Sequence, residues 1–226
     1  MQKIASVVAI VAALISPAVA DDAQWAGLYV GASFDWGNGT RDITVPSALN
    51  PRQNPDRFGY GATGIVGYNW QSGPLVFGLE ADAGWGIIQP RMTYLSKTTT
   101  EAIHIYTTYD YQATLRARLG YVLPWSMLGF VTAGGALVHS QPHIVETMGV
   151  GPSWGPAVAD DDTGVWQLGW AHGAGLEKTL EQNLSVRIEW QHIEAGGHSF
   201  DYSTPSVHTT ASMALDVGRL GMFSRF

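Results

Sequence analysis

Between Tyr109 and Tyr121 polar and apolar residues alternate without a break. Tyr109, Tyr111, Ala113, Leu115, Ala117, Leu119 and Tyr121 share one parity, and Asp110, Gln112, Thr114, Arg116, Arg118 and Gly120 share the other. A β-strand sends successive side chains to opposite faces, so this stretch predicts one wholly apolar face and one polar face carrying two arginines. A half-buried strand of a soluble sandwich would satisfy that pattern too. The tyrosines favour a different setting. Aromatic rings bracketing small and aliphatic residues over roughly ten positions suit a tilted strand with a lipid interface at each end. The expected arrangement is a transmembrane barrel with its charges turned inward.

The same alternation recurs along the chain. Trp25 to Trp36 places Leu28, Val30, Ala32, Phe34 and Trp36 on one face and Tyr29, Gly31, Ser33 and Asp35 on the other. Phe58 to Gln71 alternates with aromatics at both ends, Ser72-Gly73-Pro74 predicts a tight turn, and Leu75 to Trp85 returns with Glu80 and Asp82 on its polar face. After the Tyr109 strand, Leu123-Pro124-Trp125 makes another short turn. Met127 to His139 carries apolar residues on both parities, so its two faces cannot be told apart by pattern alone. Val165 to Lys178, Leu184 to Glu194 and Ala211 to Phe226 complete eight strands.

Between them Asn38 to Arg57, Ile87 to Thr107, Ser140 to Gly164 and Ala195 to Thr209 read as four long loops; threonine-rich Ile87 to Thr107 is expected partly to continue the strands beyond the membrane. Short turns and long loops alternate strictly. The expected fold is therefore all-β, an eight-stranded antiparallel up-and-down barrel with short periplasmic turns and four long extracellular loops. In the last strand Met213, Leu215 and Val217 lie on one parity and Leu220 and Met222 on the other. A bulge or register change near Gly218 is expected, since without it Asp216 or Arg219 would face lipid.

The N-terminus changes the picture of where the chain goes. Lys3, the apolar stretch Ile4 to Ile15 and Ala18-Val19-Ala20 have the layout of a secretory signal cleaved after Ala20, leaving residues 21–226 as the barrel. The apolar run is too short to span a bilayer, and no other run approaches a membrane helix, so spanning falls to strands. Among 226 residues, 46% are hydrophobic and 14% charged, with 27 glycines and no cysteine. Disulfides and thiolate chemistry are excluded. Once Lys3 leaves with the signal, 11 basic residues stand against 19 acidic ones, which argues against a nucleic-acid partner.

Several motifs carry a resemblance in register. W-A-G-L-Y-V-G-A begins at Trp25, G-I-V-G-Y-N-W-Q covers Gly64 to Gln71, and F-G-L-E-A-D-A-G covers Phe77 to Gly84. L-R-A-R-L-G-Y follows at Leu115, T-A-G-G-A-L at Thr132 and G-A-G-L-E at Gly173. Together they resemble the outer-membrane immunogenic, porin-family small barrels of Gram-negative bacteria, relatives of the OmpA membrane domain and OmpX. The resemblance spans nearly the whole chain after the signal and implies an outer-membrane location. It also implies that Phe226 serves as the terminal signal read by the barrel-assembly machinery. The aromatic usual two residues before the end is absent, since Ser224 stands there with Phe223 beside it.

The inward faces gather Glu80, Asp82, Arg116, Arg118, Arg187 and Glu189 at similar depth above the turns. An eight-stranded lumen is just wide enough for side chains, so these six are expected to pair as a charge plug, with a gated ion path as the alternative. Trp70, Trp85, Tyr109, Tyr121, Trp166 and Trp190 are expected as interface anchors of an aromatic girdle rather than a ligand platform.

An enzymatic reading finds His192, Glu194, His198, Ser199 and Ser203 near the fourth loop, but adjacent His198 and Ser199 point oppositely on a strand. His192, His198 and His208 with Asp160, Asp161 and Asp162 lack a recognised metal-ligand spacing. No catalytic site, cofactor or metal is expected. The expected function is a non-enzymatic structural role in the envelope with surface-exposed loops. A narrow porin and an adhesin acting through its loops are the alternatives. Expected partners are outer-membrane lipid and lipopolysaccharide, the assembly machinery, and a host or surface ligand met by the loops.

Overall fold

The computed structural model describes residues 24–43, 49–54, 58–88, 91–96, 101–148, 164–203 and 206–226, with side chains described over 24–39, 58–86, 110–140, 164–196 and 214–226. Ten antiparallel strands form one sheet: β1 (Gly27–Ile43), β2 (Leu49–Asn54), β3 (Phe58–Ser72), β4 (Leu75–Ile88), β5 (Arg91–Ser96), β6 (Glu101–Leu123), β7 (Met127–Met148), β8 (Val165–Glu181), β9 (Leu184–Ser203) and β10 (Ser206–Arg225). The eight long ones close a barrel in the ring order β1, β3, β4, β6, β7, β8, β9, β10, with β10 returning to β1. Closure gives each of the eight strands two neighbours and leaves no edge within the ring, the condition a spanning sheet must meet.

The short strands lie outside the ring. β4 leaves β6 at a register shift between Trp85 and Ile88, and β5 then takes over the same edge of β6, with β2 added beyond it. The expected loops are correspondingly shorter. β6 has 23 residues and β7 has 22, about twice what a tilted strand needs to cross a bilayer, so their ladder continues past the membrane band. The expected continuation between Ile87 and Thr107 is present as β5 and the start of β6; the third and fourth loops also give up residues to β7 and to the β9–β10 hairpin.

Alternation sorts the described side chains cleanly. In β4, Phe77, Leu79 and Trp85 face outward and exposed, while Val76, Glu80 and Asp82 are buried inside. β7 resolves the ambiguity of its pattern: Leu128, Phe130, Thr132, Ala136 and Val138 are inside, and Val131 is outside. Apolar residues occur on both faces because part of the lumen is itself apolar. Ala136, Val138, Ala171 and Ile193 cluster there with Ala195, Leu215 and Val217.

That layer corrects the expectation for the last strand. β10 runs in unbroken register from Met213 to Ser224, and Gly218 pairs with Trp190 on one side and Trp36 on the other. The irregularity lies between Ala211 and Met213 instead. Leu215 and Val217 point inward with Arg219, while Leu220 and Met222 point outward, so no slip is needed. Asp216 is the charge left facing out, and His192 Nδ1 lies 2.9 Å from its Oδ1. Gly218 has another reason to be glycine: a Cβ there would stand 2.5 Å from the Trp36 indole that covers it.

Candidate functional site

The lumen between the turns and the apolar layer is filled by ionised side chains from six strands. Glu80 and Asp82 come from β4, Arg116 and Arg118 from β6, Arg187 and Glu189 from β9. All six expected residues are buried and face inward. Asp35 of β1, Glu177 of β8, and Arg219 and Arg225 of β10 join them. Among the described residues five carboxylates thus meet five guanidinium groups.

Two centres organise the pairing. Arg116 is surrounded by acids: its Nη2 donates to Glu80 Oε1 at 2.6 Å and to Asp82 Oδ2 at 3.0 Å. Its Nη1 donates to Glu189 and, at 2.9 Å, to Thr132 Oγ1. Glu177 is surrounded by bases: Arg118 Nη2 donates to Oε2 at 2.7 Å, Arg187 Nη2 to the same oxygen at 2.9 Å, and Arg225 Nη2 to Oε1 at 2.9 Å. Arg187 Nη1 also reaches Glu80 Oε2 at 2.5 Å and so joins the two centres. Arg219 extends the network, with Nη1 donating to Asp82 Oδ2 at 3.1 Å and Nε standing 3.6 Å from Asp35 Oδ2.

Neutral side chains satisfy much of what the charges leave over. Tyr29 donates its hydroxyl to Glu80 Oε2 at 2.7 Å, Thr114 to Asp82 at 2.6 Å, Ser185 to Glu177 at 2.6 Å, and Ser33 and Thr63 both to Asp35. Aromatic faces complete the packing: the Arg187 guanidinium carbon lies 3.8 Å from the Phe223 ring centre and that of Arg118 lies 3.9 Å from Phe130. Burial on this scale is tolerated only when charges are paired and hydrogen-bonded, and here each ion meets at least one opposite partner. The arrangement ties strands together across the lumen.

Sequence reasoning missed four members for separate reasons. Asp35 and Glu177 are single charges on the inward parity of their strands, whereas the six expected residues come in pairs two apart. Arg219 was set aside with the expected slip at Gly218. Arg225 stands beside the terminal Phe226, where the alternation runs out, yet its backbone N–H donates to the Asn183 carbonyl and its side chain to Glu177. Strict parity counting from the turns would have found all four.

The outward face carries the aromatics. Trp70, Trp85, Tyr121, Trp166 and Trp190 are exposed, as is Tyr111, while the Tyr109 side chain lies outside the described residues. Asp110 forms a bulge between Tyr109 and Tyr111 in the β6–β7 pairing, and its carboxylate stands 2.6 Å from His139 Nδ1. Phe226 is exposed beside β1, its N–H donating to Leu28 O at 2.8 Å. The side chains of His198, Ser199, Ser203 and His208, residues 160–162 and the N-terminal residues 1–23 lie outside the described residues. No group of three or more metal-ligating side chains occurs among the described residues.

Comparison with known proteins follows the same architecture. A family model described as "Outer membrane protein beta-barrel domain" matches residues 6–213. The 25 kDa outer-membrane immunogenic protein of Brucella abortus biovar 1 is 28% identical over 190 residues, covering 84% of this chain and 74% of that protein. The 22 kDa outer membrane protein of Rhizobium leguminosarum bv. viciae is 24% identical over 187 residues, covering 81% and 70%. Among solved structures, the outer membrane protein OprG from Pseudomonas aeruginosa superposes with a TM-score of 0.53 at 10% identity, covering 89% of this chain and 96% of that one. Neisserial surface protein A gives a TM-score of 0.50 at 12% identity, covering 88% and 97%. At those identities the structural likeness speaks for the fold alone.

Proposed function

The chain belongs to the outer membrane protein beta-barrel domain family, and from that membership we propose that it is an ion-tight structural barrel of the bacterial envelope. Its outer-membrane location follows from the family and from the relatives' names. The observation that supports the structural reading is the buried ion-pair network in the lumen with an apolar cluster beyond it. The ion-paired plug fills the part nearest the turns, and the apolar layer of Val138, Ile193, Leu215 and Val217 lies above it. An ion crossing would have to displace buried salt bridges and then pass an apolar constriction, the two features that oppose conduction most strongly.

In this reading residues 1–20 are a leader removed on export, and Phe226 is the terminal aromatic recognised during assembly. The outward tryptophans and tyrosines anchor the barrel at the lipid interfaces, its lipid partners including lipopolysaccharide. The loop end faces the outside, where it is available to antibodies or a surface ligand, and the role is non-enzymatic. A strain lacking the chain should become more sensitive to detergent and to EDTA, and the intact chain should restore resistance. Unchanged envelope resistance together with lost uptake of a small solute would favour a channel. Unchanged resistance with lost adherence to a surface would favour an adhesin.

A further inference from the structure

On the outer wall of the barrel, two imidazoles meet. His172 of β8 and His192 of β9 stand directly opposite in the ladder, and Asp216 of β10 stands opposite His192, so the three form one row across three strands. Their chain neighbours Ala171, Gln191, Ile193, Leu215 and Val217 are buried in the lumen, so all three side chains point outward. The two imidazole centres are 5.2 Å apart. Trp170 stacks on His172 at 4.9 Å and Trp190 meets the same ring edge-on at 5.7 Å, which holds the pair between two indoles. The outward face turns polar at this level: Asp216, Glu194 two positions beyond His192, and Asn38, the β1 partner of Asp216, are all exposed. The row therefore lies where the lipid-facing band gives way to water.

Asp216 prepares His192 as a ligand. An ionised carboxylate only accepts, so the 2.9 Å contact between its Oδ1 and His192 Nδ1 places a proton on Nδ1 and leaves the lone pair on Nε2. His172 keeps Nδ1 buried with no hydrogen-bond partner among the described residues, so no protein group competes with a metal for that nitrogen. Two imidazoles on one tetrahedral ion, with metal–nitrogen bonds of about 2.0 to 2.1 Å, hold their ring centres about 5 Å apart, the separation found in this pair. Imidazole suits late first-row metals, whereas Mg²⁺ and Ca²⁺ take oxygen ligands. The exposed carboxylates of Asp216 and Glu194 make the neighbourhood favourable to a cation. We propose that His172 and His192 form a binding site for Zn²⁺ on the outer wall, with Asp216 fixing the ligating tautomer of His192. Among the described residues no third metal-ligating side chain joins the pair, so water fills the remaining positions. His139 supplies the contrast: its Nδ1 lies 2.6 Å from Asp110 Oδ1, but its ladder partners are Tyr111 and Trp166, and a second imidazole is missing there.

The site is tested by calorimetric titration of Zn²⁺ into the untagged barrel in lipid nanodiscs, against empty nanodiscs. Saturable binding is expected, at least tenfold weaker after His172→Ala or His192→Ala and about tenfold weaker after Asp216→Asn, which removes the charge behind His192. His139→Ala should leave the affinity unchanged. Folding of each variant is checked by its heat-modifiable gel mobility. A second arm needs no variant: Mg²⁺ in large excess should leave Zn²⁺ bound to the unaltered barrel. Zn²⁺ uptake equal to that of empty nanodiscs would overturn the site. So would undiminished affinity in the folded His172→Ala and His192→Ala variants, an equal loss in His139→Ala, or displacement of Zn²⁺ by Mg²⁺.

Discussion

Arg187 Nη1 and Glu80 Oε2 lie 2.5 Å apart although 107 residues separate them in the chain. Their strands, β9 and β4, are not neighbours in the ring, so this contact spans the lumen rather than a ladder. It also joins the arginines around Glu177 to the acids around Arg116. The plug is therefore one connected network, and removal of any hub should be felt across the barrel.

Glu177 is the most exacting test of that network. Glu177→Gln would leave Arg118, Arg187 and Arg225 close together without the charge that gathers them. Removing one member of a buried ion group costs about 3 to 5 kcal/mol, and a loss in that range is expected. Urea unfolding in lipid vesicles measures it. Glu181→Gln, at an exposed position on the same strand, should change stability by no more than about 0.5 kcal/mol. Equal effects at the two positions would show that the network contributes nothing.

Glycine content in the barrel wall makes room for particular rings. A Cβ on Gly67 would stand 2.3 Å from the Tyr29 ring, which carries the hydroxyl donated to Glu80. Gly67→Ala should therefore destabilise the barrel by about 1 to 3 kcal/mol through overpacking. Gly135 has open space around its would-be Cβ, and Gly135→Ala should be tolerated within about 0.5 kcal/mol. The same unfolding measurement separates the two, and a reversed order would contradict the packing described for Tyr29.

The absence of cysteine makes the register of β10 accessible to labelling, because any introduced thiol is unique. Nitroxides placed through Val217→Cys and Leu220→Cys should report opposite environments in a bilayer. The label at 220 should collide freely with dissolved oxygen, and the label at 217 should be shielded inside. Equal lipid exposure at both would restore a slip at Gly218.

That strand also shows where sequence patterning stops being sufficient. Alternation from Trp25 to Glu194 is enough to place the strands, and the faces of all but Met127 to His139, because a spanning strand must keep its lipid face apolar throughout. It also placed the six central charges inside. Leu215 and Val217 misled because apolar was equated with lipid-facing, whereas the outer half of this lumen is apolar. The same cause blurred Met127 to His139. Strand lengths beyond the membrane were the other illegible feature. Past the lipid band nothing forces one face to be apolar, so β6, β7, β9 and β10 continue through sequence that carries no strict period.

Single-channel conductance in planar bilayers bears most directly on the sealed lumen. The unaltered barrel should be silent, and Arg116→Ala, which leaves Glu80, Asp82 and Glu189 without their shared partner, should add at most brief, unstable openings. Steady unitary current through the unaltered barrel would contradict the account and make these charges a conduction path.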